Sequence, residues 1–277
     1  MEFIEAIILG IVQGATEFIP VSSSGHLVIV PWLLGWTQDA EHTLLFDTVL
    51  HWGTLLAIFI VFWRDFWNIA TQTIQSLFSR SMKDPYARLG WFIIVGSIPA
   101  AVAGLLFKDF FESLFASPRA AGSFLLVTSG LLFLSERLSS RNAQFRNIDA
   151  LTWRDAILIG LAQSIALAPG ISRSGSTIAM GLSLGIRRDE AARYSFLLGT
   201  PAFLGAGLLQ LNDALSVDPS SVIEAIPTMM VGFIASAVTG YIAIRFLLAY
   251  LRTQPLTLFA IYCLVAGLSV IGLSFVW

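Results

Sequence analysis

The segment Gln13–His26, QGATEFIPVSSSGH, breaks an apolar run that extends from residue 3 to residue 34. A second apolar run, 156–185, is broken in the same way by PGISRSG at residues 169–175. Each arm has about 10–16 residues, whereas a helix needs about 20 apolar residues to cross the hydrocarbon of a membrane. The two runs therefore predict re-entrant hairpins, which enter and leave the membrane on one side. Two broken helices that span fully are the alternative.

The composition places the rest of the chain in a bilayer as well. Of the 277 residues, 56% are hydrophobic and only 12% are charged, whereas a soluble domain carries about 25% charged residues. Six further stretches are long and apolar enough to span a membrane: 44–63, 89–107, 119–138, 191–211, 222–250 and 256–276. The predicted fold class is an all-α integral membrane protein with six transmembrane helices plus two re-entrant helical hairpins.

Basic residues are concentrated on one side of this topology. The connection after the first span and the connections around the second hairpin hold most of them: Arg64, Arg80, Lys83, Arg88, Arg137, Arg141, Arg146, Arg154, Arg187, Arg188 and Arg193. The opposite connections are poor in them, and 212–221 has none. Because basic loops stay in the cytoplasm, we expect both termini to lie outside. The first hairpin would then enter from outside and the second from the cytoplasm.

The chain repeats itself weakly. A shift of 150 residues superposes 5–25 on 155–175 with seven of 21 positions identical, among them Gln13 on Gln163 and Gly25 on Gly175. A shift of 136 superposes Gly96 on Gly232. Three spans and one hairpin per half reverse the topology of the second half. The sequence predicts one membrane domain, 1–277, made of an inverted-topology repeat with halves of about 1–140 and 150–277.

Polar residues inside the apolar segments gather at the two breaks. The candidates are Gln13, Glu17, Ser22, Ser23, Ser24, Gly25 and His26 in the first tip, and Ser172, Arg173, Ser174, Gly175 and Thr177 in the second. Serines and a glycine before a new helix supply N-caps and free N–H groups, which bind anions. An arginine fork suits phosphate. Glu17 and His26 can move protons. His26 lies four residues after Ser22 and three after Ser23, so its imidazole can sit against either hydroxyl. This set predicts hydrolysis of a phosphate ester or anhydride.

Each of these residues also has a purely structural interpretation. Serines at a helix start are often only caps, an intramembrane arginine can pair with a carboxylate, and a histidine in an apolar helix is often a packed one. Their joint occurrence at two related tips favours a site. Asp47 and His51, one turn apart in the first span, stay ambiguous. A membrane transporter or translocase of a phosphorylated lipid is the second functional class, since inverted repeats with broken helices also build carriers.

The two breaks resemble the two motifs of the bacterial undecaprenyl-diphosphatases, the bacitracin-resistance family. QGATEFIPVSSSGH at 13–26 is similar to the first motif and PGISRSGST at 169–177 to the second, and the likeness extends over essentially the whole chain. The resemblance implies removal of one phosphate from undecaprenyl diphosphate, which yields the monophosphate carrier lipid for peptidoglycan synthesis. It also implies a bacterial inner-membrane protein whose active site faces outside.

The resemblance also implies roles for individual residues. The catalytic positions of the family fall on Glu17, Ser23, His26 and Arg173, and its second motif adds Ser172 and Thr177. The family depends on a divalent cation, Mg²⁺ or Ca²⁺, for which Glu17 is the candidate ligand. Its first acidic position accepts Glu or Gln and is Gln13 here, so two carboxylates are not available to a metal at this pair. The expected partners are a polyprenyl diphosphate lipid and the bilayer, with no nucleic acid; a homodimer is left open.

Overall fold

The computed structural model describes residues 2–36, 40–114, 117–140, 145–217 and 219–276. Within these ranges the chain is helical, and its only β-type pairing is a single bridge between Arg146 and Ile186. The α-helices are α1 (Phe3–Phe18), α2 (Ser23–Leu34), α3 (Ala40–Ser79), α4 (Pro85–Leu106), α5 (Lys108–Leu114), α6 (Pro118–Ser139), α7 (Trp153–Ile165), α8 (Arg173–Ser183), α9 (Arg188–Val217), α10 (Pro219–Leu251) and α11 (Thr257–Leu273). The predicted all-α membrane fold is confirmed.

Six of these helices coincide with the six predicted spans. Five of them, α3, α4, α6, α9 and α10, are long and apolar enough to cross a membrane, and α11 is a shorter apolar helix of 17 residues. Two predicted limits are wrong. The first span does not end near residue 63, because α3 continues to Ser79 past a kink at Phe62. Residues 212–221, predicted as a connection, are helical up to Val217 and again from Pro219.

The first hairpin is formed by α1 and α2, which have 16 and 12 residues. At 1.5 Å per residue they measure about 24 and 18 Å, less than the roughly 30 Å of a hydrocarbon core. Neither arm can therefore span alone. A short turn at Ile19–Ser22 joins them, and Ser22 caps α2 by accepting a hydrogen bond from the Gly25 N–H.

The second hairpin, α7 and α8, opens at the basic end of the molecule. The Arg146 guanidinium donates to the Asp155 carboxylate at 3.0 Å and to the Leu184 carbonyl at 2.7 Å, so it joins the start of α7 to the end of α8. Burial raises the pKa of Asp155, but hydrogen bonds from Arg146 and Thr152 outweigh it and hold that pKa below its usual range. Both ends of this hairpin therefore lie on one side, which excludes the fully spanning alternative for α7 and α8.

Ion pairs join the helix ends at this basic side. Arg188 at the start of α9 holds the Glu136 carboxylate of α6, and the same carboxylate accepts the Leu256 N–H at 2.7 Å. Arg193 pairs with Asp65 of α3. Arg141, one of the basic residues that predicted the orientation, lies outside the described residues.

Close glycine contacts pack each hairpin against a span from the other half of the chain. A Cβ on Gly10 of α1 would lie 2.5 Å from the Gly232 carbonyl oxygen of α10, and a Cβ on Gly160 of α7 would lie 2.2 Å from the Gly96 carbonyl oxygen of α4. Gly10 and Gly160 are equivalent at the shift of 150, and Gly96 and Gly232 at the shift of 136. Equivalent positions of the two predicted halves thus make equivalent contacts, and the inverted repeat stays a prediction.

Candidate active site

The tips of the two hairpins touch inside the bundle. The Ser22 hydroxyl of the first tip accepts a hydrogen bond from the Gly170 N–H of the second at 3.1 Å. A Cβ on Gly25 would lie 2.9 Å from the Gly170 Cα, and Gly170 has a φ of 98°, so both positions need glycine. The N-termini of α2 and α8 consequently approach one another, as the sequence predicted for a site that binds an anion.

Glu17, in the last turn of α1, is the centre of the polar cluster between these tips. Its side chain is buried, and its Oε2 accepts hydrogen bonds from Gln13 Nε2 at 3.0 Å and from the Ser23 hydroxyl at 2.5 Å. Its Oε1 accepts from Arg173 Nη2 at 2.7 Å. The carboxylate therefore joins a hydroxyl of the first tip to a cation of the second.

Arg173 reaches Glu17 from the first turn of α8. Its Nη1 donates to the Ser195 carbonyl at 2.8 Å, and its guanidinium carbon lies 4.7 Å from the centre of the Phe203 ring. Gly199 leaves the space that this side chain fills, because a Cβ there would lie 2.4 Å from Nη1. The buried Nε–H of Arg173 has no hydrogen-bond partner within the described part of the chain, so the fork keeps a free donor beside Glu17.

His26 does not occupy the position predicted for it. The i,i+3 spacing placed its imidazole against the Ser23 hydroxyl, but Ser23 donates to Glu17 instead. The His26 Nδ1 lies 2.7 Å from the Ser22 carbonyl oxygen, and Nε2 lies 2.7 Å from the Tyr262 hydroxyl of α11. The imidazole therefore pairs with neither the Ser22 nor the Ser23 hydroxyl, because its two nitrogens bond the Ser22 carbonyl and Tyr262 of α11 instead.

The remaining predicted residues of the second tip mostly support the turn itself. Ser172 caps α8 through a hydrogen bond from the Gly175 N–H at 2.9 Å, and its hydroxyl lies 3.2 Å from that of Ser174. In the first tip the Ser22 and Ser24 hydroxyls make the equivalent contact at 3.3 Å. Thr177 differs from the prediction, since its hydroxyl bonds the Arg173 carbonyl and the Ser195 hydroxyl rather than facing the tips.

Three residues at the site come from outside the two motifs. His51 of α3 holds its Nε2 3.7 Å from Glu17 Oε2, while its Nδ1 lies 2.7 Å from the Asp47 carbonyl oxygen. Phe203 of α9 lies against both His51, at 5.5 Å between rings, and Arg173. Ser195 holds Arg173 in place. The polar character of His51 in an apolar span signals this position, whereas nothing in the sequence distinguishes Ser195 or Phe203 from ordinary span residues.

The residues at the site do not fit a divalent cation held by side chains alone. Both Glu17 oxygens already accept hydrogen bonds. Gln13, which takes the place of a second acid, offers a neutral amide. Among the described residues, no three or more His, Cys, Asp or Glu side chains are grouped so that they could hold a metal ion. A cation at this site would need ligands from the substrate.

A buried carboxylate, a hydroxyl and a guanidinium between two helix N-termini define the class of this protein. It is a multi-pass membrane protein in which two helical hairpins meet at this polar cluster. Residues 6–269 match the family described as Bacitracin resistance protein BacA, and the chain belongs to this family.

Close relatives cover the chain from end to end. A protein of Methanosphaera stadtmanae named undecaprenyl-diphosphatase is 45% identical over 286 residues, which cover 100% of this chain and 99% of the relative. Proteins of the same name from Halothermothrix orenii and Rubrobacter xylanophilus are 44% and 43% identical, covering 99% and 95% of this chain and 99% and 94% of the relatives.

Proposed function

We propose that this protein is an undecaprenyl-diphosphate phosphatase, which removes the terminal phosphate of the lipid diphosphate and leaves the monophosphate carrier lipid. The observation that carries the proposal is the contact set of Glu17. One carboxylate oxygen accepts the Ser23 hydroxyl at 2.5 Å while the other accepts Arg173 at 2.7 Å. A carboxylate, a hydroxyl and a guanidinium thus meet where the two hairpin tips touch, which supports their roles as base, nucleophile and anion-binding cation.

The Ser23–Glu17 hydrogen bond suits nucleophilic attack. The Ser23 hydroxyl oxygen forms a bond to the terminal phosphorus while Glu17 takes the hydroxyl proton. The P–O–P bond then breaks, and the lipid monophosphate leaves. Water then attacks the phosphoserine, which releases inorganic phosphate and returns the proton to Ser23. Gln13 holds the same Glu17 oxygen at 3.0 Å and keeps the carboxylate facing Ser23.

Negative charge on the transferred phosphoryl group is stabilised by Arg173 and by the helix N-termini. The Arg173 Nε–H is buried without a partner within the described residues, which leaves it available to a phosphate oxygen. The N-termini of α2 and α8 add the positive ends of two helix dipoles near this cluster, which favours a negative group there. In this buried setting each such donor counts for more than it would in water.

We propose that a divalent cation, Mg²⁺ or Ca²⁺, binds together with the substrate. Its ligands would be oxygens of the diphosphate, and Glu17 would be the candidate ligand from the protein. When bound, such a cation supplies positive charge to the phosphoryl oxygens. This chain's own residues still hold the head group and move the proton.

The proposed location is the bacterial inner membrane with the site open to the outside. The basic residues joined at one end of the bundle support this orientation, since that end would face the cytoplasm. A homodimer stays a prediction.

The test is phosphate release from undecaprenyl diphosphate by the purified protein in detergent. A phosphatase releases phosphate without a second compartment, whereas a carrier or translocase releases none and acts only across a sealed membrane. Multiple turnovers that require the intact Ser23 hydroxyl are the expected result. Failure to release phosphate at any Mg²⁺ or Ca²⁺ concentration would leave the carrier as the better explanation.

A further inference from the structure

The turn before α2 is strained at Ser22. This residue has φ 71° and ψ 95°, a backbone conformation that residues with a side chain rarely adopt. Such a conformation is unfavourable and persists only where neighbouring groups hold it. Because Ser23 follows directly, the Ser22 backbone sets the direction in which the Ser23 hydroxyl leaves the turn.

His26 holds the Ser22 backbone through hydrogen bonds to its carbonyl oxygen. The Ser22 carbonyl oxygen accepts the His26 N–H at 3.2 Å and also lies 2.7 Å from the imidazole Nδ1. Because a carbonyl only accepts, Nδ1 must carry the proton. In the neutral ring Nε2 is then the acceptor, and the Tyr262 hydroxyl at 2.7 Å donates to it. The buried His26 ring also stacks on Tyr262, with centroids 5.7 Å apart and planes at 14°.

We propose that His26 and Tyr262 are positioning residues, which fix the strained Ser22 carbonyl and thereby aim the Ser23 hydroxyl at Glu17. Tyr262 fixes the tautomer of His26, and His26 Nδ1–H holds the carbonyl. The Ser22 hydroxyl secures the other side of the same turn through the Gly170 N–H. This inference rests on the proposed phosphatase activity. It assigns the histidine a role away from the reacting atoms, because the His26 ring bonds Ser22 and Tyr262 and not Ser23 or Glu17.

Two amide substitutions separate positioning from acid–base chemistry. In His26→Asn the side-chain NH₂ takes the place of Nδ1–H and can still donate to the Ser22 carbonyl, although it cannot exchange protons. In His26→Gln the amide lies one methylene further out, toward Tyr262. We expect the Asn variant to keep kcat within about threefold, and the Gln and Ala variants to lose roughly 10–100-fold, since small misplacement of a nucleophile has effects of this size.

Tyr262→Phe tests the role assigned to Tyr262 in fixing the tautomer of His26. Losing one hydrogen bond should lower kcat by about 3–10-fold with KM unchanged, and it should have no added effect in the His26→Asn background, where no Nε2 remains to accept. Tyr241→Phe on the exposed face of α10 is the matched control. If His26→Asn does not fold, the kcat of Tyr262→Phe tests the proposal by itself: a lowered kcat supports positioning, and a wild-type kcat overturns it.

The outcomes are distinct from those of the phosphatase test, because every variant is compared with an active wild-type sample. A folded His26→Asn protein as inactive as His26→Ala would overturn the proposal and return the imidazole to the reacting atoms. A wild-type kcat in Tyr262→Phe would overturn the part assigned to Tyr262. A pH profile of His26→Asn that matches the wild type supports positioning, whereas loss of one limb contradicts it.

Discussion

The Arg173 guanidinium shows at the scale of one residue how a structural and a functional role can coincide. It pairs with the buried Glu17 carboxylate, as a purely structural arginine would. Its buried Nε–H also has no hydrogen-bond partner within the described residues. Removal of the whole side chain would therefore affect both folding and turnover, since it leaves a buried carboxylate without its cation.

Arg173→Lys separates the two roles. Lysine keeps the charge beside Glu17 but loses the planar fork that serves Ser195 and a phosphate together. We expect the melting temperature to stay close to that of the wild type, while turnover falls by about 10–150-fold, the equivalent of one charged hydrogen bond of about 1.5–3 kcal/mol. Turnover and thermal unfolding should be measured on the same purified samples. A Lys variant with full turnover would mean that the second tip is only scaffold.

The residues of the site were predictable to different degrees. The i,i+4 spacing of Gln13 and Glu17 on one helix face fixes their contact, and the structure has it at 3.0 Å. The spacing of Ser23 and His26 allows a contact equally well, but the direction of the ring is set by Tyr262, 236 residues away in the chain. Local periodicity contains no information about such a partner.

At the scale of helices, hydropathy located the spans but not their full lengths. The region after residue 63 contains Arg64, Asp65, Gln72 and Gln75, so its apolar signal ends although α3 continues to Ser79. A helix that leaves the bilayer needs no apolar surface, and only its backbone hydrogen bonds reveal it. The breaks at the hairpin tips were predictable because proline, glycine and serine disfavour a continuous helix there.

The glycine contact between α7 and α4 makes a prediction about stability. Gly160→Ala would place a methyl group 2.2 Å from the Gly96 carbonyl oxygen, so the two helices must separate. Overpacking of this kind costs about 1–3 kcal/mol, or about 2–12 °C in melting temperature at 2–4 °C per kcal/mol. Gly130→Ala on the exposed face of α6, where a Cβ would meet nothing within 4 Å, is the control. Equal melting temperatures for the two variants would contradict the close packing.

At the scale of the whole molecule, the tips of the two hairpins meet inside the bundle. The repeat at 150 residues predicts that the hairpins enter from opposite sides, because three spans and one hairpin per half invert the second half. The contact between the tips could not be predicted in detail, since Gly170 and Ser22 are 148 residues apart.

The orientation has its own test. Lys83 and Ser216 are exposed near opposite ends of the bundle, and the sole cysteine, Cys263, is buried. Single cysteines at these two positions in a Cys263→Ala background should differ in their reactivity with an impermeant thiol reagent on intact cells. We expect labelling at 216 only, and at both positions after the cells are opened. Preferential labelling at 83 would reverse the proposed topology and place the site toward the cytoplasm.

The measurement that tests the central claim most directly is phosphate release by purified Glu17→Gln, beside Glu224→Gln as a control at an exposed glutamate of α10. The amide cannot accept the Ser23 proton, and loss of a general base removes about 10²–10⁴ in rate. We expect Glu17→Gln to fold and insert while its rate of phosphate release falls by this amount. Glu224→Gln should release phosphate at the wild-type rate. Retention of more than half the wild-type rate by Glu17→Gln would contradict it.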